Sequence, residues 1–210
     1  LKDLRRAASD GSNVMPASIA CAKAGVTTGE WGETLRGVFG QYRAPTGVAM
    51  ETRATGDEIE KLRALVASLE AKLGTQVSFL VGKPGLDGHS NGAEQIAMRA
   101  LDAGMSVIYD GIRQTPDEIV AKAKSDKPHV IGLSILSGSH VPLVRAVINR
   151  LRREGLDIPV VVGGIIPPED ENVLKNIGVA AVYTPKDFQV NDILTDVAGI
   201  VEKRIPGRAA

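Results

Sequence analysis

One cysteine, Cys21, stands among 210 residues. An internal disulfide is thereby excluded, and so is a cysteine-rich metal site. The scarcity fits a reducing compartment, and a cytoplasmic location is the expectation. Aromatic residues make up only 3% of the chain, and no basic cluster interleaves with them, so a nucleic-acid surface is not expected. Charge of one sign is missing too. Lys and Arg total 25, Asp and Glu total 25, and no net field draws the chain to nucleic acid or an anionic membrane. Apolar runs fall short of the ~18 residues that a membrane-spanning helix needs. No signal peptide is expected ahead of the first strand, and no internal repeat or low-complexity segment appears. What is present, 43% apolar and 24% charged residues, suffices for one good core and a small extra piece. The chain opens on Leu1 rather than methionine and reads as a piece of a longer protein.

Residues 1–50 read as a region of their own. The small residues of 12–25 suggest a short, closely packed helix. Thr27-Thr28-Gly29-Glu30 is a capping-box signature, after which Trp31, Leu35, Val38 and Phe39 share one helical face. Large apolar residues are too few here for an independent core, so this face is expected to dock on something. Ala44-Pro45-Thr46-Gly47 closes the region with turn chemistry. A second capping box, Thr55-Gly56-Asp57-Glu58, opens a helix over 57–73 with the stripe Ile59, Leu62, Leu65, Val66, Leu69 and Leu73. This segment, 51–75, is read as a linker helix.

From residue 76 to 204 strands and helices alternate. Strands are expected at 76–82, 106–109, 130–134, 160–163 and 180–183. Helices are expected near 92–103, 116–124, 141–153, 169–176 and 189–203. The strands are continuous apolar runs, as when both faces of a parallel sheet are covered. Five β-α units in about 130 residues predict an α/β, doubly wound, flavodoxin-like domain with strand order 2-1-3-4-5 behind an N-terminal helical extension.

Ligands of such sheets bind beyond the carboxyl ends of the strands, at the switch point. There the sequence places Lys83-Pro84-Gly85-Leu86-Asp87-Gly88-His89-Ser90-Asn91-Gly92 after the first strand. Ser134-Ile135-Leu136-Ser137-Gly138-Ser139-His140 follows the third, Gly163-Gly164 ends the fourth, and Tyr183-Thr184 ends the fifth. A metal-binding histidine usually gives its other ring N–H to a carboxylate. Asp87 is the candidate partner of His89, with Lys83 able to keep Asp87 ionised.

The set Asp87-x-His89-x-x-Gly92, then Ser134-x-Leu136, then Gly163-Gly164 resembles the cobalamin-binding domain of B12 enzymes. Lys83 to His89, Tyr109-Asp110-Gly111-Ile112-Arg113, Gly163 to Pro168 and Tyr183-Thr184-Pro185-Lys186-Asp187 resemble the C-terminal domain of adenosylcobalamin-dependent acyl-CoA mutases. Residues 1–50 resemble the tail of the mutase catalytic region. The wording stands nearest to ethylmalonyl-CoA mutases, ahead of methylmalonyl-CoA mutases. The resemblance implies adenosylcobalamin bound base-off, with His89 as cobalt ligand and Asp87 and Lys83 behind it. The nucleotide tail would lie in a slot lined by Ser134, Leu136 and Gly163-Gly164, with Gly88, Ser90, Asn91, Gly92, Gly138, Tyr183 and Thr184 also near the cofactor. It further implies a homodimeric parent isomerase whose acyl-CoA substrate sits on a barrel absent from this chain, so that the chain alone binds cofactor without turnover.

Plainer readings stand beside these. His89 could cap a helix, Asp87 could be an N-cap, and Ser134 could satisfy a strand end. His140 reads as a loop or capping residue and His129 as structural. Tyr183 and Thr184 stay open between core packing and rim contact. Trp31 reads as packing and Cys21 as a small buried hydrophobe. A corrinoid carrier for methyl transfer shares the three motifs, but such modules follow a small helical bundle, and only one clear helix is expected here. A receiver module needs an acidic cluster at the end of strand one and a phosphorylatable aspartate after strand three, and strand three instead ends in Ser134-Ile135-Leu136.

Overall fold

The computed structural model describes residues 1–40, 56–187 and 189–205. The turn expected at 44–47, the boundary near residue 50 and Thr55 of the second capping box lie outside them. The chain divides into two compact units, Leu1–Ala49 and Met50–Ala210.

In the first unit, α1 (Lys2–Asp10), α2 (Met15–Lys23) and α3 (Thr28–Phe39) pack together. Helix α1 was not expected from the sequence, yet it supplies the buried Leu4 and Ala8. The capping box at Thr27 forms in full, because Thr27 and Glu30 reciprocally satisfy the first orphan amides. The expected apolar face of α3 is only partly correct. Thr34 is buried while Phe39 is exposed, and Trp31 donates to Ser18 Oγ at 2.9 Å.

The second unit opens with α4 (Asp57–Leu73), whose N-cap is Gly56 with no side-chain cap bond among the described residues. Ile59, Leu62, Val66 and Leu69 of α4 are buried in the same core as the sheet, so the segment read as a linker is part of this core. The strands are β1 (Ser78–Gly82), β2 (Ser106–Ile108), β3 (Val130–Ile135), β4 (Val160–Gly164) and β5 (Ala181–Tyr183). They alternate with α5 (Asn91–Asp102), α6 (Pro116–Asp126), α7 (His140–Arg153), α8 (Pro168–Ile177) and α9 (Val190–Glu202). All pairs are parallel, in the order β2-β1-β3-β4-β5, which is the order expected. Helices α4, α5 and α9 cover one face and α6, α7 and α8 the other, each with its own apolar cluster. The first strand starts later than expected, since Val77 N–H turns back to Glu70 Oε1 at 3.0 Å. His129 is structural, as read: its Nδ1 accepts from Ser78 N–H at 2.9 Å.

The end of the β3–β4 pair is the tightest point of this scaffold. Gly164 stands opposite Ile135 at φ 149°, and a Cβ there would lie 1.8 Å from the Ile135 carbonyl oxygen. At Gly163 a Cβ would meet no atom within 4 Å. Gly164→Ala is therefore expected to destabilise the unit by more than about 3 kcal/mol, while Gly163→Ala stays within about 1 kcal/mol. Urea unfolding midpoints of the two variants check this contrast.

Candidate functional site

The loop from Lys83 to Ser90 leaves β1 between its neighbours β2 and β3, where the chain changes direction across the sheet. Lys83 is fully buried, and a buried ammonium needs a counter-charge. Its Nζ lies 3.1 Å from Asp87 Oδ2. The same carboxylate accepts from the backbone N–H groups of His89 (3.0 Å) and Leu136 (3.2 Å), and Oδ1 lies 2.7 Å from His89 Nδ1. Burial by itself would raise the Asp87 carboxyl. The bonds from His89, Lys83 and Leu136 outweigh it and hold the group well below the ordinary carboxylate range.

This arrangement settles the tautomer of His89. An ionised carboxylate can only accept, so Nδ1 carries a proton, and in the neutral imidazole Nε2 is the nitrogen left with the lone pair. The side chain is 79% exposed although Asp87 is 6% exposed. A Lewis-basic nitrogen, oriented from behind and open in front, is what a metal-ligating imidazole requires. Asp87 does not cap α5; Ser90 is the N-cap, and it makes no side-chain cap bond.

Next to this loop lies a cavity of about 380 Å³, within the usual ~300–1,000 Å³ of small-molecule sites. It runs between the sheet face and helices α5 and α9, floored by Phe79, Gly132 and Val161 and walled by Ile96 and Ile193. Of the residues singled out by sequence, Gly92, Ser134, Leu136, Gly163, Gly164, Tyr183 and Thr184 line it. Asp87, Gly88, His89, Ser90, Asn91 and Gly138 do not. The structure thus separates an exposed polar head, His89, from an apolar slot, with Gly92 and Leu136 between them.

Two features of the slot lining stand out. The space at Gly163 is open where any side chain would intrude. The Tyr183 hydroxyl is buried without a hydrogen-bond partner, although its ring packs against the core. Burial, with Asp196 and Asp187 nearby, pushes this phenol well above its usual range, so it stays a neutral donor. Thr184 is a turn residue, its Oγ1 donating to Asp187 Oδ2 at 3.2 Å and accepting from Lys186 N–H at 3.3 Å.

Sequence reasoning missed Gln114. It is buried, its Oε1 accepts from Lys83 N–H at 2.8 Å, its N–H donates to Lys83 O at 3.1 Å, and its carbonyl accepts from Gly85 N–H at 2.9 Å. Gln114 thereby splints the first turn of the His89 loop. The only signal in its text was its place in the loop after β2. Gln95 of α5 and Val190 of α9 in the cavity wall were also missed, because helix faces pointing into a slot look like faces pointing into a core; Ile165, in the loop after β4, was missed as well. His140, read as a loop or capping residue, is instead buried and paired with Asp170 at 2.8 Å.

Removing the carboxylate tests the electrostatics. Asp87→Asn leaves Lys83 buried without its partner and is expected to cost about 3–5 kcal/mol at pH 7. Because the folded-state carboxyl lies below its ordinary 3.8, its stabilisation is complete above about pH 4 and is lost as pH falls further. The gap between wild type and variant in urea unfolding should therefore shrink from pH 7 to pH 3, and an unchanged gap contradicts this origin.

The description "B12 binding domain" matches residues 77–188, the stretch that holds the sheet, the loop and the slot apart from its α9 wall. An ethylmalonyl-CoA mutase of Methylorubrum extorquens is 64% identical over 100% of this chain, and one of Cereibacter sphaeroides is 60% identical over 97%. The chain spans only 30% and 31% of those relatives. In fold it is similar to a cobalamin-binding protein from Desulfitobacterium hafniense, with a TM-score of 0.53 and 20% identity over 94% of this chain and 97% of that one. Loop, slot and match coincide on one segment, and the chain belongs to the B12-binding domain family.

Proposed function

We propose that this chain is the cofactor domain of an adenosylcobalamin-dependent mutase that converts ethylmalonyl-CoA to methylsuccinyl-CoA. The carrying observation is the exposed Nε2 of His89, backed through Nδ1 by the buried Asp87–Lys83 pair. His89 would ligate the cobalt in place of the cofactor's own benzimidazole. The displaced nucleotide tail would enter the slot past Ser134 and Leu136, against the open face of Gly163, with the Tyr183 hydroxyl as a donor inside. The identity of the whole chain to two ethylmalonyl-CoA mutases supports the choice of reaction. Among the described residues four helices, α1 to α4, precede β1, where one clear helix was expected. The count of helices therefore no longer argues against a methyl-transfer carrier, and the choice rests on those relatives.

When bound, adenosylcobalamin supplies an adenosyl radical by homolysis of its cobalt–carbon bond. The chain's own work is narrower. Lys83 keeps Asp87 ionised, Asp87 fixes the imidazole tautomer and raises its basicity, and the apolar slot excludes water from the tail. The acyl-CoA would be held by a barrel outside this chain, so the chain alone is expected to give no turnover. Visible spectra test the assignment. Cobalamin mixed with the wild-type chain should show loss of benzimidazole coordination with imidazole in its place, and His89→Ala should not show imidazole coordination. Identical base-on spectra for both proteins would refute the axial role of His89.

A further inference from the structure

His140 takes no part in the site as described so far, yet it is a buried imidazole with a carboxylate partner. It is the first residue of α7, 3% exposed, directly after the loop that carries Leu136 and Gly138. Nε2 lies 2.8 Å from Asp170 Oδ2, and Nδ1 lies 3.4 Å from the Ser137 carbonyl oxygen. Since a carboxylate accepts, Nε2–H is the donor. Asp170 sits in the first turn of α8, where the helix dipole favours a negative charge. Its N–H donates to Pro167 O at 3.0 Å, so it is also fastened to the loop that begins at Gly163-Gly164.

The contact spans a gap in the scaffold. The β3–β4 ladder ends at Ile135 opposite Gly164. Beyond that pair, no backbone hydrogen bond joins the two loops among the described residues. Those loops supply Leu136 on one side of the slot and Gly164 and Ile165 on the other. Leu136 in turn donates its N–H to Asp87. The His140–Asp170 contact therefore ties these two loops by side chains rather than by the sheet, from the α7–α8 side; neither residue lines the slot itself.

We propose that His140 and Asp170 form a brace that sets the separation of the loops after β3 and β4 for the nucleotide tail of the cofactor, making both of them positioning residues. The inference rests on the cobalamin reading above. A brace for the tail predicts selectivity that a general fold brace does not: it should matter for a corrinoid with a nucleotide tail and not for one without.

The test measures dissociation constants for cobalamin and for cobinamide, the corrinoid that lacks the tail, by spectroscopic titration of the 210-residue chain, with thermal midpoints recorded alongside. His140→Ala should weaken cobalamin binding about tenfold or more, as for the loss of one buried charge-assisted bond, and change cobinamide binding less than about threefold. His140→Gln, whose amide nitrogen can reach Asp170, should recover most of the loss. Asp170→Ala removes the tie from the more exposed side, serves if His140→Ala does not fold, and should show the same selectivity. Equal losses for both corrinoids, or no loss for either, overturn the brace while leaving the cobalamin reading intact. A wild-type chain that binds neither corrinoid overturns the cobalamin reading itself.

Discussion

Lys83 is buried completely, and a lone ammonium in that position would cost several kcal/mol. Asp87 neutralises it, and the same carboxylate also accepts from Leu136 N–H, His89 N–H and His89 Nδ1. The charge pair thus does more than offset its own burial. It joins the end of β1 to the loop after β3 and aims an imidazole at solvent. Gln114 completes the splint by holding the backbone of Lys83 and Gly85 from the β2 side. A loop of glycines with little packing of its own becomes a fixed mount because charge and hydrogen bonds replace the missing apolar contacts.

The sheet explains why head and slot lie side by side. Strand order reverses at β1, so the helices after β1 and β3 leave on opposite faces, and a crevice opens between their loops. The His89 loop fills the rim of that crevice. Below it, Gly163 on β4 leaves room that a side chain would fill, while the space at Gly132 on β3 is taken by the Phe79 ring, 2.7 Å from where a Cβ would stand. The close approach of Gly164 to the Ile135 carbonyl shows how narrow the tolerance is on that side. The proposed cofactor would use both parts of this division.

Much of this was legible in the sequence. Strands buried on both faces read as unbroken apolar runs, so the five strands and their order followed from pattern and length. The pairing of Asp87 with His89 followed from a spacing of two, and with Lys83 from a spacing of four. Three things were not legible. Helix α1 carries only Leu4 and Ala8 toward a core, too little periodicity to announce itself. Gln114 and His140 act through partners 31 and 30 residues away, and a single sequence holds no sign of which distant carboxylate or amide a buried polar group will meet. The segment carrying α4 read as a linker helix, and nothing in its stripe showed that the apolar face belongs to the main core.

The central claim is that a histidine nitrogen of this chain, and not the cofactor's benzimidazole, sits beneath the cobalt. Paramagnetic cob(II)alamin reports that nitrogen directly, because the unpaired electron couples to its nucleus. The chain, which contains three histidines, can be prepared with histidine carrying spin one-half nitrogen in place of spin one. Electron paramagnetic resonance of its cob(II)alamin complex should then show the axial nitrogen splitting change from triplets to doublets. Triplets that persist in the labelled protein would mean that the benzimidazole still holds the metal, and the account of His89 would be wrong.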